Sequence, residues 1–285
     1  MNILISGATG FVGYHLVRQF DPNKYNLFCL VRDEIKAKEV LPSFVHVIPT
    51  NHLEEIGNFG IDCVVHLASY LTSKDDVDSI EKILDASILY GTRILNSLRN
   101  YKHLKFINIG SFAEYRNGAE KPETAYFYTA AKQAFRPLLD YFATKGQWDY
   151  IHLIPYTIYG AENNQKKLID YVRDSMGSSI AVKMSPGYQV SDFIHIDDVV
   201  DCIRFFIENT QKWSGQKGEV YHLGTGRGTS IRELAQLFEN KYGKKCNIEW
   251  GAWPYRERDV MYAVAPIGKL LDLGWRAKKR LEDNI

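Results

Sequence analysis

Asn2-Ile3-Leu4-Ile5-Ser6-Gly7-Ala8-Thr9-Gly10-Phe11-Val12-Gly13-Tyr14-His15 is the stretch that decides the fold. Ile3 to Ile5 is a short apolar run and reads as a fully buried strand. Gly7, Gly10 and Gly13 follow at G-x-x-G-x-x-G spacing. Phe11, Val12, Leu16, Val17 and Phe20 then form the apolar side of a helix. Strand, glycine turn and helix start together make an anion site, with open backbone N–H groups and the positive end of the helix dipole. Glycine is required where a side chain would block a pyrophosphate or hold the helix off the sheet. A three-glycine pattern alone is weak, but a strand before it and a helix after it are the confirming context. The stretch therefore predicts a dinucleotide-binding α/β fold rather than an unrelated glycine-rich turn.

Working outward, Tyr25 to Val31, Phe44 to Ile48, Asp62 to Leu67 and Leu104 to Ile109 read as further strands. A long helix is expected from about Asp76 to Arg99, with apolar Ile80, Ile83, Leu84, Ile88, Leu95 and Leu98. Alternation of this kind implies a Rossmann-like, doubly wound parallel sheet, with ligands at the carboxyl ends of its strands. Ser111, directly after Gly110, stands at one such end. Arg32 follows the second strand, where an acid would bond a ribose 2′-hydroxyl and an arginine suits a 2′-phosphate. Asp33 and Glu34 come one and two positions too late, so NADPH/NADP is expected over NADH. A surface arginine, idle or stacked on adenine, is the plainer alternative.

Tyr128 and Lys132 are four apart, which places phenol and ammonium on one helix face. An adjacent ammonium, together with an oxidised nicotinamide ring, favours phenolate and lowers the Tyr128 pKa, so that the phenol can exchange a proton with a carbonyl oxygen near neutral pH. Among 18 tyrosines a chance Tyr-x-x-x-Lys is common. What raises this pair above chance is its order in the chain, after the glycine fingerprint and after Ser111.

The second half reads as a smaller α/β lobe. It holds helices at about Gln165–Met176, Asp197–Glu208 and Thr229–Asn240, and strands at Ile180–Met184, Phe193–Ile196 and Val220–Leu223. Thr229 or Ser230 caps the last helix, with Glu233 near its third position. Residues 1–160 are expected to form the dinucleotide domain and 161–285 mainly the substrate lobe. The strand near 192–196 and the helix near 197–208 are allowed to return to the first domain.

The combination of Gly7-x-x-Gly10-x-x-Gly13, Ser111 and Tyr128-x-x-x-Lys132 resembles the extended short-chain dehydrogenase/reductases of the NAD-dependent epimerase/dehydratase family. Pro155-Tyr156-Thr157-Ile158-Tyr159-Gly160, Asp192 to Val199, Tyr221 to Gly226 and Leu273-Gly274-Trp275 carry the resemblance along nearly the whole chain. Met184-Ser185-Pro186-Gly187 and Arg256 to Tyr262 look most like 4-keto sugar reductases of the CDP-abequose and CDP-paratose synthase type. The resemblance implies a coenzyme site of Gly7, Thr9, Gly10, Phe11, Val12, Gly13, Arg32, Leu67, Ala68, Tyr128, Lys132 and Pro155. It implies catalysis by Ser111, Tyr128 and Lys132. Substrate contacts follow from it at Tyr70, Ser111, Tyr115, Thr157, Lys183 and Arg256, the last on the diphosphate. It also implies a nucleoside-diphosphate sugar substrate, CDP or dTDP favoured, and a homodimer packed through the helices around Asp76–Arg99 and Thr124–Lys145. Thr157, Ser191 and Ser87 depart from the Asn, Arg and Asn of many relatives.

Dehydratases of the family place an Asp-Glu pair after the Ser/Thr. Here Phe112 and Ala113 occupy those positions and transfer no protons, and Glu114 comes one residue late. Ketone reduction, making a deoxysugar for O-antigen or capsule-like polysaccharide, is the expectation. A 4-epimerase with tightly held NAD and a non-catalytic NADP-sensing protein stay open beside it.

A net charge of +1 gives no reason to expect a nucleic-acid or membrane-surface partner. No apolar run approaches the roughly 20 residues of a membrane helix. With a strand already at residue 2, no secretory segment is expected, and the protein is placed in the cytoplasm. Cys29, Cys63, Cys202 and Cys246 form no C-x-x-C pair, and Cys29 and Cys63 read as buried free thiols. His66 lies in an apolar strand and reads as a packed core residue, and His195 beside Asp197 and Asp198 as a strand end before helix-capping acids. No metal site is expected.

Overall fold

The computed structural model describes residues 1–161 and 166–285. The strands of the first half are β1 (Asn2–Ser6), β2 (Asn26–Val31), β3 (His46–Pro49), β4 (Cys63–His66), β5 (Lys105–Ile109) and β6 (Asp149–Pro155). β7 (Thr157–Tyr159), β8 (Val182–Met184), β9 (Val190–Ser191) and β10 (Phe193–His195) follow, then β11 (Lys217–Leu223), β12 (Thr229–Ser230), β13 (Ile248–Trp250) and β14 (Tyr262–Ala263). Seven of them make one sheet in the order β11-β6-β5-β4-β1-β2-β3. Every pairing in it is parallel. The reversal of winding lies between β1 and β4, so the exits of β1, β4, β5 and β6 gather the ligand-side residues.

Burial on both faces follows from the alternation of the strands. Ile3, Ile5, Cys29, Val65, Ile107, Ile151 and Leu153 face one layer, built by α1 (Phe11–Val17) and a helix at Ile196–Glu208. Leu4, Phe28, Leu30, Val64, Phe106 and Tyr150 face the other, with Ile94, Leu95, Phe135 and Leu139 from the helices opposite. α2 (Glu34–Val40) is capped by Asp33, which accepts from Lys36 N at 3.0 Å. The predicted long helix forms as α3 (Val77–Leu84) and α4 (Tyr90–Ser97), joined by a π-turn at Asp85–Leu89. α5 (Phe127–Gly146) carries the Tyr-x-x-x-Lys pair. Cys29, Cys63 and Cys202 are buried free thiols, and burial pushes Cys29 and Cys63 up to about 12.

In the second lobe, α6 (Leu168–Ser175) forms, and the expected helical position Gln165 lies outside the described residues. α7 (Ile196–Glu208) and α8 (Ile231–Tyr242) form as read, the latter capped by Ser230 with Glu233 at its third position. α6 and α8 enclose a separate core of Ile169, Val172, Ile231, Leu234 and Phe238.

One boundary needs correcting. Val220–Leu223 was expected in the substrate lobe, yet β11 pairs with β6 from Lys217 to Leu223 as an edge of the main sheet. The reason is the crossover. Parallel strands need a long connection, and α7 supplies it, burying Ile203 and Phe206 with Tyr221 and Leu223 in one core. The dinucleotide fold therefore takes both α7 and β11 from the second half of the chain.

Candidate active site

The glycine turn is built for close approach. Gly7 has φ +74°, and a Cβ on it would sit 2.9 Å from Ala68 N, so only glycine lets the β1 turn lie against the β4 exit. A Cβ on Gly13 would strike Gly7 O and lie 2.6 Å from Ala8 Cα, so α1 also packs on the turn through glycine. Gly10 caps α1 with no side-chain hydrogen bond. This leaves the N–H groups of Phe11 and Val12 without a helical acceptor. The cradle fits a dinucleotide. Leu67 N donates to Ser6 O at 3.2 Å and Ala68 N to Ser6 Oγ at 3.3 Å, which ties the β4 exit to the turn. Ser69 Oγ, Ser87 Oγ and Tyr90 Oη are buried on that side without a partner among the described residues. Arg32 is exposed at the end of β2, and Asp33 beside it is occupied as the α2 cap.

Behind the turn, His66 shares a 2.8 Å hydrogen bond with Ser6 Oγ, and burial pulls its pKa down to about 3. It is a packed core residue, as its apolar setting implied. His195 accepts from Asp197 N at 3.1 Å and so caps α7 itself, while Asp198 receives the N–H groups of Lys278 and Lys279. The capping group is thus the histidine, not the acids.

The chemistry gathers where β5 ends against α5. Ser111 Oγ and Tyr128 Oη are 3.0 Å apart. Lys132, one turn along α5, donates to Ile109 O at 2.8 Å. All three predicted catalytic side chains are therefore brought together. Burial of the Tyr128 phenol pushes its pKa up, the Ser111 hydrogen bond opposes this, and Tyr126 and Glu114 add to the rise. Lys132 is held below its ordinary value by burial. Its hydrogen bond goes to a backbone carbonyl rather than to Tyr128.

Sequence reasoning set Glu114 aside and missed its partners on α5. Glu114 is fully buried. It accepts from Ser111 N at 2.7 Å, Gln133 Nε2 at 2.7 Å and Arg136 Nη2 at 2.6 Å. Gln133 and Arg136 continue the Tyr128–Lys132 side of α5, so the i, i+4, i+8 spacing of 128, 132 and 136 was the available signal. Tyr126 is stacked on Tyr128 at 6.0 Å, and its hydroxyl donates to Asp259 at 3.2 Å.

The substrate-side candidates are dispersed. Arg256 is exposed, with its guanidinium 6.0 Å over the Tyr126 ring and its N–H on Asp259 at 3.0 Å, and Arg258 donates to Thr124 O at 2.6 Å. This loop brings Arg256 to the start of α5. Tyr70 packs beside Ile83 and Tyr128. Thr157 starts β7, its N–H donating to Asp192 O, and Pro155 ends β6. Lys183 is exposed on β8, 5.9 Å over the Trp253 ring. Tyr115 is buried in a small core with Ile154 and Tyr156, and its hydroxyl is taken by Arg136 at 3.2 Å. Among the described residues no group of three or more His, Cys, Asp or Glu is placed to hold a metal ion, and no helix is long and apolar enough to cross a membrane.

Comparison with known proteins agrees with this geometry. The chain is 26% identical over 293 residues to CDP-abequose synthase of Salmonella typhimurium, covering 99% of this chain and 96% of that protein. It is 25% identical to a putative UDP-glucose 4-epimerase of Methanocaldococcus jannaschii, covering 99% and 95%. Among solved structures, UDP-glucuronic acid 4-epimerase from Bacillus cereus, in complex with UDP-glucuronic acid and NAD, superposes with a TM-score of 0.86 at 22% identity, covering 100% of this chain and 96% of that one. That likeness shows the shared Rossmann-like fold. Residues 3–224 match the NAD dependent epimerase/dehydratase family, and the chain belongs to it.

Proposed function

We propose that the protein reduces the 4-keto group of a nucleotide-activated 4-keto-6-deoxy sugar, with NADPH as reductant, and so makes a deoxysugar donor for polysaccharide synthesis. The observation that carries this is the 3.0 Å Ser111–Tyr128 contact followed by Phe112 and Ala113. A proton donor and an oxygen-binding hydroxyl are present, and the two positions after Ser111 hold no acid or base that could drive a dehydration. Full-length similarity to CDP-abequose synthases supports the nucleotide-sugar substrate and favours CDP.

When bound in the glycine cradle, reduced nicotinamide supplies the hydride for C4. Tyr128 gives its phenolic proton to the C4 oxygen, and its raised pKa keeps it in the acid form that reduction needs. Ser111 hydrogen-bonds the same oxygen as negative charge develops. Lys132 keeps two N–H groups beyond its bond to Ile109 O for the coenzyme ribose. Arg256, held by Asp259 at the start of α5, takes the substrate diphosphate. The same reading places the protein in the cytoplasm as a homodimer.

Consumption of NADPH and NADH by the purified protein tests the assignment, with CDP-, dTDP-, UDP- and GDP-linked 4-keto-6-deoxy sugars supplied in turn. Faster loss of NADPH with one of them is the expected result and names the base. No loss with any, together with NAD released on denaturation, would replace ketone reduction by 4-epimerisation. For coenzyme choice, Arg32→Ala is expected to raise the KM for NADPH about tenfold, through loss of one exposed charge-assisted contact, and to leave that for NADH unchanged. Equal effects on both coenzymes would remove Arg32 from the 2′-phosphate.

A further inference from the structure

Glu114 is a fully buried carboxylate that the proposed reaction does not use. One of its oxygens accepts the Ser111 N–H, and this bond together with Ser111 Oγ on Ala113 N closes a capping box around the Phe112–Glu114 turn. The other oxygen accepts Gln133 and Arg136 from α5. The carboxylate thus bridges the segment that carries Ser111 and the helix that carries Tyr128 and Lys132. Lys132 makes a second tie between the same two elements, one turn away, through Ile109 O. Gly110 is part of the fit, because a Cβ there would lie 2.5 Å from Glu114 Oε1.

The bridge is charged. Arg136 stays protonated in any protein, and its side chain here is only 14% exposed. A neutral residue at 114 would leave that cation buried and uncompensated beside the site. Burial pushes the Glu114 carboxyl up, while Arg136, Lys132 and the Ser111 N–H oppose it.

We infer that Glu114 is a positioning residue: it fixes the Ser111 backbone against α5 and sets the charge around the Tyr128 hydroxyl. The inference rests on Tyr128 as the proton donor. The groups facing Tyr128 are known from every side. They are Tyr126 and Lys132 on α5, with Arg136 behind Glu114, Glu114 and Ser111 from the β5 exit, and Tyr70 with apolar Ile83 and Ile88 across from α5. Arg256 and Asp259 reach it only through Tyr126. Among these Glu114 is the anion of the inner group, and Lys132 and Arg136 are the cations. Removing its charge removes one of the groups that raise the Tyr128 pKa.

The test separates charge from shape. Tyr128 ionisation is read as the difference in phenolate absorbance between each protein and its counterpart carrying Tyr128→Phe, so it needs no substrate. Glu114→Gln is expected to bring Tyr128 ionisation in at least about one pH unit lower than in the parent. Its kcat for reduction should be lost from a correspondingly lower pH, because activity requires the protonated phenol. Glu114→Asp keeps the charge but withdraws it from Ser111 N, so kcat should fall about tenfold with the alkaline limb unmoved and coenzyme affinity intact. An unmoved Tyr128 titration in Glu114→Gln would overturn the charge role. Should that variant not fold, Glu114→Asp decides, and a kcat within about twofold of the parent would overturn the positioning role. Retained turnover in Tyr128→Phe would instead remove the donor assignment, leaving the titration to judge Glu114 separately.

Discussion

Tyr128→Phe is expected to lower kcat by about 10²–10⁴-fold, the range associated with losing a general acid. The substitution removes one hydroxyl from a ring that stays packed beside Ile83, Ala131 and the stacked Tyr126. Ser111 keeps its backbone bond to Glu114. The fold and the glycine cradle are therefore expected to be unaffected, and coenzyme affinity, followed by nicotinamide fluorescence, should match the parent. A loss confined to kcat marks proton donation. Parallel loss of coenzyme binding would mean that the phenol holds the ribose instead. Turnover close to the parent's would remove Tyr128 from the chemistry.

The second large effect is on stability. Asp192, between β9 and β10, is fully buried and receives the Thr225 N–H, the Thr225 hydroxyl, and the N–H groups of Gly226 and Ala265, at 2.6 to 3.2 Å. One carboxylate thus joins the β9–β10 link, the turn after β11 and the segment after β14. Asp192→Ala would leave the buried Ala265 N–H and the part-buried donors of Thr225 and Gly226 without their acceptor, at about 1–3 kcal/mol for each that water does not reach, so a loss of about 3 kcal/mol is expected in urea unfolding. Asp192→Asn should also destabilise, because its NH2 group would meet N–H donors. A change below about 1 kcal/mol in Asp192→Ala would show that water replaces the carboxylate.

The parts legible in the sequence are those fixed by short-range constraints. The glycine spacing gives the β1–α1 turn because only one backbone path lets Gly7 touch Ala68 and Gly13 touch the turn. The Tyr-x-x-x-Lys spacing gives one face of α5. Ser111 was found because it follows a strand. What was not legible depends on long-range pairing. Asp149–Pro155, with polar His152 in its middle, does not stand out as a strand, and only its place between β5 and β11 makes it one. His152 is satisfied there by Asn108 at 3.0 Å, and burial lowers it to about 3. Glu114 was set aside because it stands one residue beyond the family's acid position. Its partner Arg136 lies 22 residues away, and no local pattern announces that pair. The Arg136 bond to the Tyr115 hydroxyl is equally long-range.

The edge strand β11 has a consequence for the order in which the molecule is assembled. Ile107, Ile151 and Leu153 lie in the same core as Ile203 and Phe206 of α7 and Leu223 of β11. While the ribosome is still adding the residues between β6 and α7, that face of the sheet is covered by α1 but not yet by α7. Ser111, Tyr128 and Lys132 have all been synthesised by then, but α7, which completes the layer beneath their sheet, has not. Synthesis through Leu223 supplies the missing helix and the last strand together. The coenzyme half is therefore not a module that matures first and waits for a substrate half. It closes late, through contacts far apart in the chain, and such contacts make folding slow. A chain released early would expose an apolar sheet face and an unpaired β6 edge, the two features that most favour aggregation.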